Sequence, residues 1–189
     1  MKQLHILILA LTLSFGLYGQ QDITNRVNFS ISYFGILGTH PGIKVGVQYP
    51  LTNSVEIPVD RLDQIVAGSN LMIYFHRNNQ LGIGLDAELG FRSRRRGGVN
   101  YELFFGGGYL RTFLPRKMYD FDEPDGFRLR RFKGSGHFLK KVGFGLGAQS
   151  GRDLDSNFWS IRPTFLHIKP FNTSFTYNFA IDAGISFYP

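Results

Sequence analysis

Ser135 and His137 stand two residues apart in "KGSGHFLKK", and Asp120 lies upstream in "MYDFDEPDG". A hydroxyl, an imidazole and a carboxylate are the parts of a nucleophile, its base and the group that orients the base. Residues two apart on a strand share a face, so the spacing permits the pair to act together. The flanking Gly134 and Gly136 describe a bulge more simply, and Asp122 serves as well as Asp120 for the acid. His40, His76 and His167 are scattered and offer no ligand spacing.

Other motifs narrow the chemistry. "GFGLGA", Gly143 to Ala148, fits the G-x-G-x-x-A pattern of dinucleotide sites, but "QSGRDLDSN" after it supplies no helix to face a pyrophosphate. Asp120, Asp122, Glu123 and Asp125 are hard oxygen ligands, yet Pro124 and Gly126 make an ordinary turn and the spacing matches no closed calcium loop. The expectation is therefore no cofactor and no metal. Two basic clusters remain, Arg92, Arg94, Arg95 and Arg96, then Arg128, Arg130, Arg131 and Lys133. Guanidinium groups grip phosphate bidentately, so clusters near a membrane interface suit lipid phosphates. Solvated strand ends are the plainer account.

What must hold these groups is set by the whole chain. It has 189 residues, a formal charge of +7 and no cysteine, which removes disulfides, thiolate metal sites and cysteine nucleophiles. The segment "MKQLHILILALTLSFGLYGQ" places Lys2 before an apolar run from Leu4 to Leu17, shorter than the roughly 20 residues that span a bilayer. That is the shape of a secretory signal, dividing the chain into a leader at 1–19 and one domain at 20–189. A basic exported chain meets lipid phosphate rather than nucleic acid as its anionic partner.

The body of the chain alternates. In "LGIGLDAELGF", Leu81 to Phe91, apolar groups take the odd positions while glycine or carboxylate fills most even ones. "VNYELFFGGGYLRTF" repeats the pattern, broken by Phe104 and Leu110, and "FTYNFAIDAGISF" repeats it more cleanly. A period of two means strands. They are expected at 27–37, 42–50, 66–77, 80–94, 98–114, 127–149, 157–168 and 174–187, with turn chemistry between them. The stretch "TNSVEIPVDRLDQI" reads as a long loop, a short helix or an extra strand, so eight strands are expected and ten are possible.

An even set of long antiparallel strands closes into an up-and-down barrel. A soluble lipid carrier would turn the apolar face inward, whereas a membrane barrel turns it toward lipid. The second face carries Gly82, Gly84, Gly90, Gly106, Gly108, Gly143, Gly145 and Gly147, which suit a narrow lumen rather than a wetted exterior. Asp86, Glu88, Arg92, Glu102, Lys141, Arg162 and Asp182 share that face and could pair inside. Aromatics near strand ends, among them Tyr33, Tyr49, Tyr101, Phe113, Trp159, Phe171 and Phe187, fit interfacial girdles.

With its leader, its lack of cysteine, its alternating strands and its closing "YNFAIDAGISFYP", the chain resembles small outer-membrane β-barrel proteins of the OmpA-barrel or OmpX-like type. The resemblance implies an eight-stranded transmembrane β-barrel in the outer membrane with a structural or interaction role and no open pore. Outer-membrane lipids, lipopolysaccharide and an envelope protein would be its partners. It also implies handling by the barrel-assembly machinery, which reads a terminal aromatic; here Phe187 and Tyr188 precede Pro189. Some small barrels of this kind modify lipid A with a serine, a histidine and an acid, which makes Ser135, His137 and Asp120 the enzyme alternative. A narrow porin-like channel and a soluble lipid carrier are the remaining alternatives.

Overall fold

The computed structural model describes residues 27–36, 40–52, 55–56, 61–76, 80–95, 98–114, 118–122, 126–130, 134–151, 156–169 and 176–188; of 55–56, 118–122, 126–130 and 176 it describes the backbone. In chain order the elements are β1 (Asn28–Ile36), β2 (His40–Pro50), β3 (Val55–Glu56), β4 (Arg61–His76), β5 (Gln80–Arg95) and β6 (Val99–Phe113). They continue as β7 (Met118–Asp122), β8 (Gly126–Arg130), β9 (Gly134–Gln149), β10 (Phe158–Lys169) and β11 (Thr176–Phe187). Eight long strands pair antiparallel in the order β1, β2, β4, β5, β6, β9, β10 and β11, and β11 pairs back onto β1. The result is a closed up-and-down barrel, with no helix among the described residues.

Register sets its shape. Phe187 lies opposite Phe29, and the chain of partners then runs through Val47, Ser69, Ala87, Gly107, Lys140 and His167 to Tyr177. One circuit therefore returns to β11 ten residues from where it began. Eight strands with that shear tilt by about 40°, so each residue climbs about 2.5 Å along the barrel axis. The end holding Asn28 and Phe187 is the terminal rim, and the end holding Ile36 and His76 the distal rim.

Alternation becomes inside and outside. Along β5, Gly82, Gly84, Asp86, Glu88, Gly90 and Arg92 are buried, while Ile83, Leu85, Ala87, Leu89 and Phe91 are exposed. The same parity exposes Leu103 and Phe105 on β6, Val142 and Phe144 on β9, and Ile181 and Ile185 on β11. Inward glycines leave room for the strands to converge: a Cβ at Gly108 would sit 2.6 Å from Cα and Cβ of Asp86.

The fold refines three expectations. The single strand expected over 127–149 is two, because β8 turns back on β7 in a separate hairpin and the barrel strand begins at Gly134. The uncertain stretch after Thr52 holds the two-residue β3, which pairs with a β4 that starts at Arg61. The lumen also is not glycine and charge throughout: Phe34, Met72, Tyr74, Leu110, Leu139 and Leu166 fill its distal part with an apolar layer. Leu110, a break in the outward pattern of β6, is a member of that layer. Phe104, the other break, is buried below Arg162, whose guanidinium stands 3.9 Å from the ring centroid.

Candidate functional site in the barrel lumen

Below the apolar layer the inward parity of seven strands brings charge together. Asp86, Glu88 and Arg92 come from β5, Glu102 from β6, Lys141 from β9, Arg162 from β10, and Asp182 from β11. Lys44 and Gln48 on β2 and Asn70 on β4 complete the set. Each of these groups is buried, and a buried charge is tolerable only when paired and hydrogen-bonded.

Apart from the pair Lys44–Asp182, the pairing is continuous. Lys141 Nζ donates to Asp86 Oδ1 at 2.5 Å and to Glu88 Oε2 at 2.7 Å. Glu88 Oε1 also accepts from Arg162 and from the Gln48 amide, each at 3.0 Å. Arg162 Nε lies 3.2 Å from Glu102 Oε2, whose other oxygen takes Arg92 Nε at 2.5 Å. Arg92 reaches on to the Gln48 carbonyl, Lys44 pairs with Asp182, and Asn70 donates to Asp86 at 2.8 Å. Four cations, Lys44, Arg92, Lys141 and Arg162, face four carboxylates, Asp86, Glu88, Glu102 and Asp182, so the layer is electrically neutral. The cavity between Lys44, Gln48, Arg92 and Asp182 measures about 10 Å³, the threshold for a single water.

All seven residues expected to face the lumen take part in this network. Sequence reasoning passed over Lys44, Gln48 and Asn70, although Lys44 lies between the outward Ile43 and Val45, and Gln48 follows the outward Val47.

The basic cluster at 92–96 divides. Arg92 and Arg94 are 2% and 1% exposed, turned into the barrel, where they do not meet the lipid phosphate expected of them. Arg94 lies between two rings, 4.7 Å from the Phe158 centroid and 5.0 Å from that of Tyr188, and so closes the terminal rim. Arg95 is exposed, and Arg96 lies outside the described residues. Arg128 and Arg130 lie on β8, described by backbone, while Arg131 and Lys133 fall outside the described residues.

Of the catalytic candidates, two share one side of β9 and the third lies in the separate hairpin. His137 is buried at the distal end, its Nε2 3.0 Å from Thr112 Oγ1. Ser135 is exposed two residues away on the same side of β9. Asp120 belongs to β7, outside the barrel wall.

No protein-family model matches this chain, and no curated protein matches it in sequence. Among solved structures, the crystal structure of the outer membrane enzyme PagL is similar over 85% of this chain and 98% of that one, with a TM-score of 0.50 and 7% identity. The likeness is one of fold, to a barrel of the outer-membrane class. It does not select the OmpA-barrel or OmpX-like type expected from the sequence.

Proposed function

We propose that the chain is an integral outer-membrane β-barrel that serves the envelope as a structural and interaction element, with its lumen closed to solute. The observation that supports this most is the contrast between its two surfaces. A closed wall turns Leu103, Phe105, Val142, Phe144 and Ile161 outward, and its interior is filled by a neutral ion-pair layer beneath an apolar one. An exposed apolar surface of that extent needs lipid around it. Export through the N-terminal leader, assembly by the envelope's barrel machinery and contact with lipids, lipopolysaccharide or an envelope protein belong to the same reading.

A filled eight-stranded lumen offers ions no continuous water path. Folded protein reconstituted into a planar bilayer is expected to be electrically silent at moderate voltage. Stepwise conductance that scales with the amount of folded protein would replace this reading with a pore.

A further inference from the structure

Four basic side chains face outward on one side of the barrel near the distal rim: Arg111 on β6, Lys140 on β9, and His167 and Lys169 on β10. Cross-strand register sets their neighbours. Lys140 stands opposite His167 and Gly107, and His167 opposite Tyr177, with the imidazole edge-on to the phenol ring at 5.1 Å. Lys169 stands opposite Phe138, which in turn stands opposite Tyr109.

Their depth follows from the tilt. Arg111 lies ten residues beyond Tyr101, and Lys169 ten beyond Trp159, both outward aromatics of the terminal rim. At about 2.5 Å per residue that is about 25 Å, the height of the apolar band of an outer-membrane barrel. Arg111 and Lys169 therefore meet the opposite headgroup boundary, and the long stem of Lys140 lets its ammonium rise to the same level.

Among the residues with described side chains the strip is one-sided. At the distal rim β2, β4 and β5 turn Pro41, Phe75 and Leu81 outward. Among carboxylates with described side chains, Asp63 alone faces outward; it sits at the terminal rim and pairs with Arg61 at 2.8 Å. Phe138 and Tyr177, 70% and 71% exposed, protrude further than the other outward apolar groups.

We propose that Arg111, Lys140, His167 and Lys169 form a binding site for the phosphate-bearing headgroup of a lipid in the leaflet that the distal rim meets. Arg111 offers a planar fork to phosphate oxygens, the lysines add point charges, and Phe138 lies against the acyl chains. The inference rests on the membrane reading above and names the lipid chemistry it selects.

The test is native mass spectrometry of the full chain, released from detergent micelles holding equal amounts of phosphatidic acid and an uncharged galactosyl diacylglycerol. The native protein is expected to retain phosphatidic acid preferentially. A Lys140→Gln/Lys169→Gln variant is expected to lose that retention by about tenfold or more, since each charge near an anionic headgroup is worth roughly fivefold. An Arg61→Gln variant, altered at the other rim, is expected to match the native protein. Equal retention of the two lipids, or an unchanged double variant, would overturn the site. Displacement by excess inorganic phosphate would make it a free-anion site and overturn the lipid assignment. Unboiled electrophoresis of the same samples separates the two levels: a folded barrel without lipid preference removes the inference alone, whereas a soluble chain with no boiling-sensitive form removes the membrane reading too.

Discussion

Replacing Glu88 with leucine is expected to destabilise the folded barrel by about 3–5 kcal/mol, the cost of leaving buried charge uncompensated. Glu88 receives Lys141, Arg162 and the Gln48 amide. Its loss leaves Lys141 with Asp86 and Arg162 with Glu102, so the neutral layer becomes one carboxylate short. Glu88→Gln keeps the hydrogen-bonding outline while removing the charge, and should fall between the native protein and the leucine variant. Urea unfolding of the barrel in phospholipid vesicles measures the difference as a lower midpoint at unchanged slope. A leucine variant within about 1 kcal/mol of the native protein would mean that the network does not hold the interior together.

Val142→Arg tests the outer face. Val142 is 50% exposed and lies six residues from Ala148 at the terminal rim, roughly 15 Å along the axis and near the middle of the band. Arginine at the bilayer midplane costs about 2–4 kcal/mol, against about 0–1 kcal/mol near an interface. Val99, opposite Ala148, is the interfacial comparison. The expected result is a large loss for Val142→Arg and a small one for Val99→Arg, read in the same vesicle assay. Equal and small losses at both depths would place water on this face.

Much of this architecture is local and so was legible along the chain. Parity alone placed Asp86, Glu88 and Arg92 on one face of β5 and Leu85 and Leu89 on the other, because a strand cannot turn neighbours the same way. Arg94 shares the parity of Arg92, yet a run of arginines reads first as a basic patch, and only Phe158 and Tyr188 arriving from distant strands reveal its enclosure. The separate hairpin was hidden for a similar reason: "FRLR" and "HFLKK" alternate as one strand would, and what divides them is the pairing of β8 with β7. The apolar layer announced itself as defects, since Leu110 falls on the small and polar face of β6 and gains meaning only beside Phe34, Leu139 and Leu166. Which charges meet depends on the ten-residue shear, a property of eight strands together. The outward row of Lys140, His167 and Tyr177 is likewise a product of register between strands far apart in sequence.

In the function proposed for this protein, a closed barrel presents its apolar face to lipid. Fractionation of expressing cells, followed by electrophoresis of each fraction with and without boiling, tests it most directly. The protein is expected to be confined to the outer-membrane fraction, with a mobility that changes only after boiling, as the closed sheet is finally opened. A freely soluble protein with a single mobility would contradict it.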